Sequence, residues 1–340
     1  MKKQLVNGIL AAIVACAFGL SGCNYEVPGD DGRGGGTSGG GGSSVVDEYG
    51  TLPGKFSVSK DKKVSFSRGN LQYCPDRKVW RFAINQYDYV GGYDDYNHLD
   101  YGTVYIDNEK CSNQKISSIY HGWIDLFGWG TSGWESGYPA NQPWSFSMKS
   151  EEYFHGGDLT GKYIKADWGI YNAISNGGKK AGLWRTLTRD EWVYLLQGRP
   201  HAYDLQATFG TYMGGCTMLL PDNFNLDGMT TVHELEDALY ISHTKYDDYD
   251  QWNKEWGAEY RALEKAGAVF LPDAFIRRGT YMLFGISGSA YWTSTYDPDH
   301  AYGPDQYSAL SMNVDPLTYA PTEADLLYTG LPVRLVRDVK

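Results

Sequence analysis

The chain has 340 residues, 41 Asp and Glu against 30 Lys and Arg, and a formal net charge of −11; Tyr (28) and Trp (11) are abundant. An acidic surface argues against nucleic acid and anionic lipid headgroups as partners, because both recruit clustered cations. The length beyond residue 50 suffices for a sizeable core, and no second linker divides it, so one domain with insertions is expected over residues 51–340.

The first segment reads as a processing signal. Lys2 and Lys3 precede an apolar run from Ile9 to Leu20, 12 residues long. A membrane-spanning helix needs about 20 apolar residues, whereas a signal peptide does not. Leu20-Ser21-Gly22-Cys23 follows and resembles the lipobox of bacterial lipoproteins. The resemblance implies a signal peptide over 1–22, a lipid on the Cys23 sulfur, and a membrane partner reached through that anchor. It also implies an outer-membrane location. Residues 23–50 are then a tether, since the Gly/Ser run from Gly32 to Ser44 buries too little apolar surface to offset its chain entropy. Asp30 and Asp31, soon after Cys23, are similar to the surface-export signals of Bacteroidetes lipoproteins.

Beyond the tether, Phe56 to Ser59 and Lys63 to Ser67 alternate apolar and polar, as half-buried strands do, and Asn70 to Tyr73 and Val79 to Phe82 continue the pattern. From Tyr87 to about Lys165 the chain is rich in Gly, Tyr, Asp, Asn and Trp with little periodicity, which predicts ordered loops over packed aromatics, including Trp123, Trp129 and Trp134. Thr188-Arg-Asp-Glu191 fits a capping box. It opens a helix with Trp192, Leu195 and Leu196 on one face, stopped by Gly198 and Pro200. A second helix is predicted from Asp250 to Ala266 on the spacing of Trp252, Trp256, Tyr260 and Leu263. Ala268 to Pro272 reads as a buried strand, and Tyr291 to Tyr296 and Val333 to Arg337 as closing strands.

The segments Leu183 to Trp192, Ala268 to Pro272, Tyr291 to Thr295 and Val333 to Arg337, in that order, resemble the C-type-lectin-like fold in its bacterial form. Relatives include formylglycine-generating enzymes, paralogous lipoproteins of Bacteroidetes and Fibrobacteres, and the variable proteins of diversity-generating retroelements. The resemblance implies an α+β domain with a twisted antiparallel sheet, two main helices and long irregular loops. It also implies that Trp192 and Trp292 are core residues.

Catalytic motifs are scarce. Formylglycine-generating enzymes use a late cysteine pair that binds copper, and no cysteine here follows Cys216. The histidines at 98, 121, 155, 201, 233, 243 and 300 have no metal-ligand spacing and read as surface or loop residues. No GxSxG, P-loop or HExxH occurs. Cys74, Cys111 and Cys216 permit at most one disulfide. The expected function is therefore binding of a glycan or protein ligand without catalysis. The alternatives are a formylglycine-generating-enzyme-like oxidoreductase and a structural or adhesin subunit of a surface assembly.

In the variable proteins of this family the binding face lies on the segment between the Trp292 strand and the last strand. Carried over, that gives Tyr296, Asp297, Asp299, His300, Tyr302, Asp305, Tyr307 and Asn313 as the candidate contact residues, unless the segment is only a long polar hairpin. No cofactor is expected. Calcium is the one candidate, at Asp297, Asp299 and Asp305, although the Glu-Pro-Asn and Trp-Asn-Asp motifs of calcium-dependent lectins are missing.

Overall fold

The computed structural model describes residues 45–93, 99–100, 102–211, 214–235, 261–283, 289–303, 306–314 and 322–339. Cys23, the signal and most of the tether lie outside the described residues, as do Asp305 and residues 250–260 of the second predicted helix. Among the described residues no helix is long and apolar enough to cross a membrane.

The architecture is mixed α and β, led by several small antiparallel sheets with few helices. One sheet joins the two ends of the domain. Its order is Phe56–Ser57, Lys63–Phe66, Leu335–Asp338, Arg185–Thr186. The carboxy-terminal strand is central, with Val336 opposite Phe66 on one side and Arg185 on the other. The packed chain begins ahead of Thr51. Val46 packs against the core, and the Arg337 guanidinium lies over the Tyr49 ring at 4.2 Å and 3.5 Å from the Asp47 carboxylate.

A second sheet pairs Gln206–Thr211, Gly214–Leu219 and Val269–Pro272. A third pairs Tyr281–Leu283, Ile276–Arg278 and Thr329–Gly330. The fourth carries the late polar segment: Ser289–Asp297, Ser308–Val314 and Glu323–Leu326, antiparallel throughout, with a register shift between Trp292 and Tyr296.

The expected helix forms where its cap says it should. Thr188 Oγ accepts from the Glu191 amide at 3.2 Å, and the Glu191 carboxylate accepts from the Thr188 amide at 3.0 Å. The Arg189–Val193 helix runs into a π-turn over Tyr194–Gly198 and stops at Arg199, leaving Trp192, Leu195 and Leu196 buried against Phe56, Phe66 and Val336. Of the second helix, the described part is helical over 261–265, with Leu263 buried, and Gly267 ends it at φ 97°. Trp192 and Trp292 are both core residues.

Phe56 to Ser59 and Val79–Phe82 alternate buried and half-buried residues as expected, whereas Lys63–Phe66 and Leu71–Cys74 depart from that pattern. Leu71–Cys74 is buried on both faces, Gln72 included. The polar alternates turn inward onto partners at one atom each: Gln72 Oε1 accepts from Arg81 Nε at 2.9 Å, and Ser65 Oγ donates to the Gly54 carbonyl at 2.7 Å. The aperiodic stretch that follows is anchored by its buried tryptophans, Trp123 and Trp129. Trp129 is fully buried and its indole donates to the Thr293 carbonyl at 2.9 Å. Trp292 returns the arrangement, donating to the Phe127 carbonyl at 2.7 Å. Two indoles thus pin the loop that begins at Trp123 beneath the Ser289–Asp297 strand.

Candidate functional site: an aromatic face

The Ser289–Asp297 strand leaves the core at Tyr296, and an extended loop from earlier in the chain meets it there. The Leu159 amide donates to the Ser294 carbonyl at 2.8 Å, and the Tyr296 amide donates to the Asp158 carboxylate at 2.8 Å. Those two bonds bring Tyr138, Phe154, His155 and Asp158 beside the late polar segment.

The result is a closed circuit of rings. Buried Trp129 stacks on buried Phe154 at 6.0 Å, and Phe154 meets Tyr138 edge-on at 5.5 Å. Tyr138 meets His155 at 4.5 Å, and His155 lies flat on Tyr307 at 3.9 Å with 11° between planes. Tyr307 meets His300 at 5.4 Å, His300 meets Tyr296 at 6.2 Å, and Tyr296 returns to Trp129 at 5.9 Å. Offset and edge-on pairs of this kind contribute roughly 0.5–1.5 kcal/mol each beyond their buried area. Trp129 and Phe154 form the floor; Tyr138, His155, Tyr296, His300 and Tyr307 are half-buried and form the face.

The face is polar as well as aromatic. Burial, then the neighbouring Tyr307, Asp297 and Tyr138, pushes the Tyr296 phenol up to about 12. Burial, then Tyr163 and Tyr307, raises the Tyr138 phenol. Both hydroxyls are therefore neutral at ordinary pH and able to donate as well as accept. His155 Nδ1 stands 2.8 Å from the Tyr153 carbonyl, which can only accept, so Nδ1 carries the proton in that bond. Beside Tyr296 an open groove of about 470 Å³ continues the face, lined by Asp158, Arg189, Thr295, Asp299, Leu310 and Thr322 among others.

The candidate residues divide by what their side chains do. Tyr296, His300 and Tyr307 belong to the ring circuit. Asp299 is exposed and lines the groove. Asp297 is 4% exposed and organises the turn: its oxygens accept from the Asp299 and Ala301 amides at 3.1 Å each and from Ser308 Oγ at 2.7 Å. Burial alone would raise its carboxyl, but the bonds from Ser308, Ala301 and Asp299 outweigh that and hold it below the usual carboxylate range. The Tyr302 hydroxyl donates to the Ala324 carbonyl at 2.6 Å, tying the turn to the next strand. Asn313 stands away from the rings at the far end of its strand, opposite Ala290, where its amide donates to Glu323 at 3.1 Å. Asp305 lies outside the described residues. Among the described residues no three His, Cys, Asp or Glu side chains are grouped to hold a metal ion.

Tyr138, His155 and Asp158 are the residues that the sequence did not put forward. Their stretch has no periodicity, and their role follows from a long-range loop contact that no local pattern encodes. No family model, curated protein or solved structure matches this chain.

Proposed function

We propose that this chain is a lipid-anchored, exported binding module, tethered through Cys23, that holds an external glycan or protein ligand on the Tyr138–His155–Tyr307–Tyr296 face without catalysis. The closed ring circuit carries the reading: half-buried tyrosines and imidazoles on a floor of buried Trp129 and Phe154, with neutral phenol hydroxyls among them. Rigid aromatics with polar tips give large contact area at small entropic cost, the chemistry of recognition surfaces. A C-type-lectin-like fold, the family resemblance of the sequence, is in keeping with the joined terminal strands, the capped helix and the long late hairpin. On this reading the outer membrane is the location, and the tether holds the face clear of the bilayer.

The test is a screen of the mature protein against immobilised glycans and extracellular proteins, run beside Tyr307→Ala. Truncating a central aromatic anchor weakens binding by about tenfold or more, with an unchanged far-UV spectrum. A ligand that Tyr307→Ala holds as tightly as the wild type places the binding surface elsewhere.

A further inference from the structure

The protein has three described cysteines, all buried and none in a disulfide. They are not equivalent. Cys216 sits on the Gly214–Leu219 strand opposite Pro272, in a core cluster with Met218 and Phe270. Cys74 and Cys111 share a different and much smaller cluster with Val90, Val104 and Trp123. Both sulfurs touch the same three residues of backbone. The Cys74 thiol lies 3.1 Å from the His121 carbonyl, and the Cys111 sulfur accepts from the Trp123 amide at 3.3 Å. The strand register supports the juxtaposition: Tyr73 bridges Ile124 in antiparallel fashion, which sets Cys74 across from Trp123.

We propose that Cys74 and Cys111 are a disulfide-forming pair and that Cys216 is the residual thiol. The sequence leaves three pairings open; the fold places Cys74 and Cys111 in one cluster and Cys216 in another. In the folded chain burial, then the Asp76 carboxylate at 3.0 Å, raises the Cys74 thiol, and Arg77 Nε at 3.1 Å offsets them only in part, so the attack begins before the chain has closed over the sulfur. The co-reactant is a disulfide donor such as oxidised glutathione. Cys74 thiolate attacks one donor sulfur and releases one donor thiolate. Cys111, deprotonated, then attacks the mixed disulfide at Cys74 and releases the second, so two protein thiols become one disulfide and the donor is reduced to two thiols. Both protein sulfurs are shielded in the folded chain, and burial pushes the Cys111 thiol up to about 11. The bond therefore forms during folding rather than after it. It closes the loop from Cys74 to Cys111, which contains the Gly92–Tyr93/Leu99–Asp100 and Tyr105–Ile106/Glu109–Lys110 strand pairs, onto the hairpin that carries Trp80.

The test refolds the full chain carrying Cys16→Ser and Cys23→Ser, which leaves only these three cysteines, from denaturant in mixed oxidised and reduced glutathione, then maps its peptides by mass spectrometry without reduction. The expected result is one linked peptide pair containing Cys74 and Cys111, a free thiol at Cys216, and a Tm that falls on reduction. Cys216→Ser keeps the linked pair and Cys111→Ser abolishes it. Three free thiols after refolding, or a linked pair containing Cys216, would overturn the assignment. Because the oxidant is supplied in the tube, the outcome is independent of whether the chain is exported.

Discussion

Thr188 and Glu191 carry more than the start of a helix. The Glu191 carboxylate also receives Arg185 at 2.7 Å and Lys62 at 3.0 Å, so one side chain ties the cap to the closing sheet. Thr188→Ala removes the acceptor for the Glu191 amide but leaves those ion pairs. It is expected to cost about 1 kcal/mol, read from urea unfolding at unchanged m. Trp129 lies at the other extreme. It is fully enclosed, carries the aromatic floor, and is hydrogen-bonded to Thr293. Trp129→Ala should cost about 3–5 kcal/mol in the same measurement, because the cavity and the stranded Thr293 carbonyl add to the lost burial. Tyr307→Ala, on the half-exposed face, should cost about 1 kcal/mol. The contrast separates the floor, which holds the fold, from the face, which is free to bind.

At the scale of elements, the closing sheet depends on its last strand. Leu335–Asp338 is the only connection between the Lys63–Phe66 and Arg185–Thr186 strands within that sheet. Truncation after Arg334 exposes Phe66 and Trp192, and is expected to abolish the near-UV signal of the packed tryptophans and open the chain to limited proteolysis; a truncated chain with native near-UV signal contradicts this. Much of this layer was legible in the sequence. The capping box at 188–191, the buried strand before Pro272, and the closing strands all have local signatures: a side-chain cap, an apolar run bounded by turn residues, and alternation. The aromatic face was half legible. Tyr296, His300 and Tyr307 fell within a recognisable polar hairpin, whereas Tyr138 and His155 came from an aperiodic loop. Their placement is decided by a backbone bond from Leu159 to Ser294 and by two indoles, contacts across more than a hundred residues that no local pattern specifies. Asp297 illustrates a related limit: composition reveals a carboxylate, but not that the Asp299 and Ala301 amides of its turn and Ser308 of the next strand donate to it.

For the whole molecule, buried carboxylates set the pH dependence. Burial pushes Asp125 up to about 7 and Asp88 to about 6, although each accepts several hydrogen bonds. Values raised above those of the unfolded chain mean that the native state holds extra protons. This stabilising contribution is full below about pH 4 and is lost as pH rises through 6 and 7. Glu191, Asp222 and Asp338 behave oppositely. Burial would raise them, but hydrogen bonds and charges from Arg185, Lys62, Lys63 and Ser57 prevail and lower them. Their contribution is present above about pH 4 and is lost in stronger acid. Stability should therefore rise, on the order of a few kcal/mol, as pH falls from 8 to about 5, and then decline. Asp125→Asn should flatten the rise. A maximum at or above pH 7.5 in the wild type would show that these carboxyls are ionised in the native state without penalty.

The proposed binding face is built from two distant segments. Hydrogen–deuterium exchange on the protein, alone and with a ligand recovered from the glycan and protein screen, tests that directly. Protection is predicted in two stretches together, 138–163 and 294–310, with none at 206–220. Protection confined to the 206–220 sheet, or in only one of the two stretches, would contradict it.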